Sequence, residues 1–271
     1  MKLKKLRRIY RVLFPLKLSF QELFENNLKS NTLIREFNKV EDLYSLKLNN
    51  NTLLYLRDQN HSDYSVFNQI FNNEEYKTVA SILKYNDQFE TKENILIDAG
   101  ANVGYATVYL QQILNFHKVI CIEPSSSNFE ILKKNIGLLN CAKDILLFEN
   151  ALASKKNLNF NIENDFRDRK DWSIRTKEDK SGNIKGITIN EIIDNNNLSE
   201  ITLLKIDIEG SERFIFEESA DLSFLHVTKI IVIEIHDEFD IRKGIYRTLI
   251  NNNFLIMESG ELTIAINKKF L

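Results

Sequence analysis

The sequence predicts an α/β fold built on a mostly parallel sheet, and three observations carry that prediction. The segment ENILIDAGANVGYATVYL, residues 93–109, is an apolar run that ends in an acid, turns on glycines and continues as a helix. Three further apolar runs also close on acids: KVICIEP (118–124), LLKIDIEGSE (203–212) and KIIVIEIH (229–236). In an open α/β sheet the carboxyl ends of the strands face the ligand crevice, so these acids gather at one mouth. Glycine is scarce, eight in 271 residues, yet Gly100 and Gly104 stand four apart at the first turn. Residues without a Cβ accept positive φ and let backbone come close to a ligand.

In chain order, residues 1–90 read as an N-terminal extension and 91–271 as the sheet domain. MKLKKLRRIYRVLF sets Leu3, Leu6, Tyr10 and Leu13 on one helical face among six basic residues. Such a helix suits either an anionic membrane surface or docking on the protein's own core or a twin subunit. SLKLNNNTLLYLRD (45–58) reads as a hairpin around an Asn-rich turn, followed by two short helices with Ser62 as a cap. Arg57, His61 and Asp63 fall together after the hairpin, where they suit either a cover over the crevice or a charged helix start. After the first glycine turn come a second strand (118–124), a helix with Phe129, Leu132, Ile136 and Leu139 on one face, and a third strand, ILLFENAL (145–152). Residues 163–183 form a polar, charged insert holding the only tryptophan, Trp172. The fourth strand ends in Asp207, Glu209 and Glu212 around Gly210, and the fifth in Glu234 and His236. Residues 237–252 suit a helix, and FLIME and LTIAI, parted by Ser259 and Gly260, an antiparallel terminal hairpin.

The glycine turn is not a dinucleotide fingerprint, because Asn102 and Tyr105 stand where G-x-G-x-x-G needs its second and third glycines. What fits is Asp-x-Gly-x-Asn-x-Gly, Asp98 to Gly104, which resembles the first motif of Rossmann-like methyltransferases that use S-adenosylmethionine. DAGANVG, IEPSSSNFEILKKN, LKIDIEGSE and IEIH, in that order, together resemble the FkbM family of methyltransferases, over roughly residues 54–240. The resemblance implies the class I methyltransferase fold, a seven-stranded sheet closed by an antiparallel hairpin. It implies S-adenosylmethionine as donor and a hydroxyl, commonly of a sugar in a surface glycan or glycosylated metabolite, as acceptor. Methylation of a nitrogen or carboxylate, or a donor-binding module without catalysis, are the alternatives. One departure stands out: where relatives often carry Thr-Leu-Asp, this chain has Thr188, Ile189 and Asn190, so an acid there is absent or moved to Glu191.

The expected donor site comprises Asp98, Gly100, Asn102, Gly104, Glu123, Pro124, Asn150, Ala151 and Asp207. Glu123, 25 residues after Asp98, is placed to accept both ribose hydroxyls. Asp98 orients the glycine loop and the donor's amino end, while Asn150 and Ala151 lie at the turn where the resemblance puts the adenine. On the acceptor side, His236 is the first candidate for general base because histidine titrates near neutral pH, and Asp207 is the second. Trp172, Glu209 and Glu234 are candidate acceptor contacts, with Trp172 either stacking on a sugar or anchoring its loop. Oxygen and imidazole groups on Asp207, Glu234 and His236 would suit magnesium or manganese if they converge.

Composition narrows the function classes. A net charge of −2 and a pI near 6.2 give no electrostatic footprint for nucleic acid. The only prolines are Pro15 and Pro124, so neither an Asp/Asn-Pro-Pro-Tyr nor a Pro-Cys methylation motif is present. Cys121 and Cys141 lack zinc or dithiol spacing and read as reduced, packed thiols of a cytoplasmic protein. Lys and Arg recurring through Arg11 and at Lys17 interrupt the apolar core that a signal peptide needs.

Overall fold

The computed structural model describes residues 18–86, 93–139, 144–163, 175–217, 219–236 and 241–271. The basic N-terminal helix expected over residues 1–14, Cys141 and Trp172 lie outside them. The chain divides into two compact units, Met1–His61 and Ser62–Leu271.

In the first unit, α1 (Phe20–Ser30) opens on a capping box in which Ser19 and Glu22 each bond the other's backbone N–H. Three antiparallel strands follow: β1 (Ile34–Val40), β2 (Leu43–Leu48) and β3 (Leu53–Arg57). The β2–β3 pair is the hairpin expected from the Asn-rich turn. β1 carries no alternating apolar signal, since most of its side chains are exposed. The buried Tyr44 ring meets Phe24 edge-on at 5.2 Å, and its hydroxyl donates to Glu25.

The second unit begins with α2 (Asp63–Phe67), a π-helical turn (Asn68–Asn72) and α3 (Lys77–Tyr85). Ser62 precedes α2 without capping it through its hydroxyl, because its own backbone is already helical and a capping side chain needs an extended one. These helices, counted with the extension in the sequence, belong to the sheet unit. Phe67 and Phe71 set their rings edge-on against Tyr105 at 6.3 and 6.1 Å, which occupies the bulk that ruled out the dinucleotide fingerprint.

The main sheet holds β4 (Ile95–Ala99), β5 (Lys118–Ile122), β6 (Asp144–Phe148), β11 (Ile201–Ile206), β12 (Thr228–Glu234), β13 (Phe254–Ser259) and β14 (Leu262–Asn267). Their order is β13-β14-β12-β11-β4-β5-β6, with the first five in the chain mutually parallel and β14 antiparallel to both neighbours. This is the mostly parallel Rossmann-like sheet with a C-terminal antiparallel hairpin that the sequence predicts. β4 and β11 are buried along their whole length, as continuous apolar runs in doubly covered parallel sheets are. α4 (Tyr105–Ile113), α5 (Ser126–Ile136), α6 (Ile189–Asn196), the single turn α7 (Glu212–Ile215) and α8 (Arg242–Asn251) complete the unit.

Two segments differ from the sequence expectation. The third strand, read as 145–152, breaks after Phe148, and β7 (Ala151–Leu152) leaves the main sheet to pair with β10 (Ile184–Ile187). The polar insert, expected as a loop over 163–183, contains the strand β9 (Arg175–Glu178), which with the flanking β8 (Asn159–Glu163) and β10 joins β7 in a separate four-stranded sheet. Polar strands like these give neither period-2 alternation nor an apolar run to read.

The chain passes from β4 outward to β5 and β6, then returns to β11 on the other side of β4, which makes the end of β4 the topological switch point where open sheets bind ligands. Gly100, at φ +79°, lies so close to the following strand end that a Cβ would stand 1.7 Å from the Asp207 carbonyl oxygen. Gly244 in α8 has open space around its Cα. Gly100→Ala should therefore fail to fold or lose more than about 3 kcal/mol, whereas Gly244→Ala should gain up to about 1 kcal/mol, as read by urea denaturation.

Candidate functional site

Beyond the carboxyl ends of β4, β5, β11 and β12 lie two cavities, of about 360 and about 50 Å³. Gly100, Asn102, Asp207 and Glu209 line both, so the glycine loop and the turn after β11 form a common wall. The wall is set by unusual backbone: Asn102 and Glu209 hold φ of +50° and +48°, and Gly104 caps α4 at +88°. A Cβ on Gly104 would come within 2.8 Å of the Leu132 side chain, so this glycine lets α5 pack close.

The smaller cavity carries Glu123, Pro124, Asn128, Ala151, Leu152 and Ile208. Glu123 is buried, and its two carboxylate oxygens accept from the backbone N–H groups of Asn102 (2.8 Å) and Ser125 (2.9 Å). Burial pushes its carboxyl up to about 7, against the pull of those two N–H groups. Ser125 caps α5 by accepting from Asn128, and Asn135 holds the glycine loop by donating to the Val103 carbonyl. Asn150, expected beside the donor, instead donates to the Lys185 carbonyl on β10 and lines neither cavity, because β7 departs toward the second sheet there.

Asp98 supports the glycine loop from beneath and lines neither cavity. Its side chain has no exposure and sits beneath the loop, accepting from the Thr107 hydroxyl at 2.5 Å and pairing with Lys205 at 3.0 Å. A buried carboxylate needs a partner, and Lys205 supplies it. Lys205 was not singled out in the sequence, where it looks like an interruption of an apolar strand. Its Nζ donates to the Gly100 carbonyl at 2.9 Å and lies 3.6 Å from Asp207. Burial works against its charge, but Asp98 and Asp207 outweigh that and hold the ammonium well above its ordinary range.

The larger cavity is strongly acidic. Among the described residues, Glu75, Asp207, Glu209, Glu234 and Glu261 line it against the cation Lys205, beside Gln69 and Tyr76. Asp207, burial and neighbouring acids push Glu234 up to about 8. Burial raises Glu75 as well. No sequence motif connects Glu75 or Glu261 with strand tips that are far away along the chain.

His236, the first candidate base, lines neither cavity and is buried behind Glu209 and Glu234. Its Nδ1 meets Glu212 Oε1 at 2.7 Å, and Glu212, itself without exposure, also accepts from the Gly210 N–H at 3.2 Å. The Nε2 lies 3.3 Å from Glu209 and 3.6 Å from Glu234. Burial lowers the imidazole's proton affinity, but Glu212, Glu209 and Asp207 more than compensate and bring it to about 9. Glu191 makes a capping box with Thr188 on α6, and Asn190 donates to the Asp221 carbonyl. Both are structural here, and neither lines the two cavities.

A family model described as the methyltransferase FkbM domain matches residues 98–256. None of the curated proteins compared with the chain matches it. Solved structures similar to it include an rRNA methylase from Streptococcus thermophilus, at 11% identity over 71% of this chain and 96% of that one, with a TM-score of 0.42. Precorrin-6y C5,15-methyltransferase from Geobacter metallireducens GS-15 is similar at 10% identity over 70% and 88%, with a TM-score of 0.41. TYW2 of M. jannaschii, in complex with AdoMet, is similar at 16% identity over 84% and 87%, with a TM-score of 0.38.

Because Glu123 holds its proton more tightly folded than unfolded, it contributes stability below about pH 4.5 that is lost as pH rises through about 7. Glu123→Gln should therefore gain stability relative to wild type between pH 5 and 8, by at most about 3 kcal/mol, in urea melts at the two pH values. A wild-type advantage that grows with pH would contradict the raised carboxyl.

Proposed function

The chain belongs to the FkbM methyltransferase family and is an S-adenosylmethionine-dependent methyltransferase; we propose that its acceptor is a hydroxyl oxygen, on a sugar of a surface glycan or glycosylated metabolite. The observation that carries this reading is the common wall of Gly100, Asn102, Asp207 and Glu209 between a cavity holding Glu123 and one rimmed by acids. A donor with its ribose on Glu123 and its sulfonium over the glycine loop would turn its methyl toward that rim.

Transfer forms an O–C bond as the S–C bond breaks, leaves neutral S-adenosylhomocysteine, and releases the hydroxyl proton. In-line alignment of two bound reactants supplies up to ~7–11 kcal/mol in favourable models. The proton goes to the carboxylate rim at the strand tips, where Asp207 and Glu234 face the cavity and His236 lies one step behind. The acidic rim argues against a carboxylate acceptor, which it would repel, and supports an amine as the second reading. A lipid-linked glycan as acceptor would join this function to the basic helix expected over residues 1–14 at an anionic membrane surface. Among the described residues no helix is long and apolar enough to cross a membrane.

Calorimetric titration with S-adenosylhomocysteine should show micromolar binding that Glu123→Ala weakens by about tenfold or more, ~1.4 kcal/mol. Methyl-labelled donor offered with a panel of sugars should place the label on oxygen. Label on nitrogen would move the function to the amine reading, and donor binding without transfer to any acceptor class would point to a non-catalytic module.

A further inference from the structure

Behind the acid-rich cavity lies a group that acids alone do not explain. His236 is buried to 3% exposure, with its Nδ1 fixed by Glu212 at 2.7 Å. Its Nε2 closes no hydrogen bond among the described residues and is aimed at the rim, 3.3 Å from Glu209 and 3.6 Å from Glu234. A carboxylate that holds one ring nitrogen and leaves the other pointing into an oxygen-rich space is the arrangement that orients metal-ligating histidines. The candidate donor atoms of Asp207, Glu234 and His236 all lie within 4.8 Å of one another. Ligands about 2.1–2.3 Å from one ion are separated by about 3 Å when adjacent and about 4.5 Å when opposite, so the three need only small side-chain adjustments to share one.

We propose that Asp207, Glu234 and His236 bind a divalent cation, with Glu212 as the residue that positions the imidazole. The set combines two carboxylates with one imidazole, and manganese suits both donor types, whereas magnesium favours oxygen alone. The charge inventory agrees, since five carboxylates line the cavity against Lys205, which is already engaged with Asp98 and the Gly100 carbonyl. A bound cation supplies Lewis-acid polarisation of an oxygen placed on it. The proposal deepens the methyl-transfer reading, on which it rests only for the ion's role, because binding of the ion itself requires no donor.

The test uses the full chain, stripped with a chelator and titrated with MnCl₂, bound ion being read from loss of the free Mn²⁺ paramagnetic resonance signal. One ion per chain is expected, with ¹⁴N coupling from His236 in the pulsed spectrum. Glu234→Gln should weaken binding by about tenfold or more, and Glu212→Gln by about 10–100-fold through loss of the orienting bond. Retained S-adenosylhomocysteine binding by Glu234→Gln shows that this variant is folded. No bound Mn²⁺ at millimolar concentration, unchanged affinity in Glu234→Gln, or bound Mn²⁺ without nitrogen coupling would each overturn the site. Because wild-type binding and its nitrogen coupling need no variant, the outcome stands even if a substitution disrupts folding. S-adenosylhomocysteine binding without Mn²⁺ binding removes the cation site and leaves methyl transfer standing, and the converse result does the opposite.

Discussion

The mouth of the sheet depends on one buried lysine. Lys205 neutralises Asp98 beneath the glycine loop, donates to the Gly100 carbonyl and reaches Asp207 on the next strand end. Two charges at zero and 3% exposure are tolerable only as a pair, since removing either partner of a buried pair typically costs ~3–5 kcal/mol. The lysine thus joins the loop after β4 to the end of β11, where Gly100 and the Asp207 carbonyl are already too close for any Cβ. Asn102 and Glu209, both in the left-handed region, extend from the two sides of this junction and shape the wall that separates the cavities. Such backbone persists where surrounding structure over-determines it.

The fold was legible because its informative parts are buried on both faces. β4, β11 and β12 read as apolar runs for the reason that they form the centre of a covered parallel sheet, and their terminal acids mark the crevice end. The hairpin of β13 and β14 was legible through Gly260, at φ +63° between two apolar strands. What escaped was polar or discontinuous. β8 and β9 carry Asn, Arg, Thr, Lys and Glu, and β7 is two residues that look like the continuation of β6.

The candidate site was legible in its residue types more than in their duties. Glu123, Gly100, Asn102 and Pro124 line the smaller cavity. Asp98 does not, because an acid next to a glycine loop looks the same in sequence whether it faces a ligand or a lysine 107 positions later. Lys205 was hidden for the complementary reason, as a lone cation within an apolar run has no periodic or motif signal. Glu212 stands in the sequence as one of three acids around Gly210, yet α7 is a single turn and its carboxylate is committed to His236 and Gly210. These duties are set by contacts distant in sequence.

The electrostatics of the acid rim bear on catalysis as well as binding. In methyl transfer the sulfonium's positive charge disappears, so a wall of uncompensated carboxylates would favour the charged reactant over the transition state and slow the step. The protein reduces that penalty in two ways: Lys205 faces Asp207, and the neighbouring acids hold protons on Glu234 and His236 more strongly than water would. Protons retained on Glu234 and His236 lower the negative charge of the wall while leaving carboxylate oxygens facing the cavity. Glu123 lies outside that balance, in a separate buried pocket where two backbone N–H groups support its charge. The division keeps one buried, N–H-supported carboxyl apart from the acid cluster of the larger cavity.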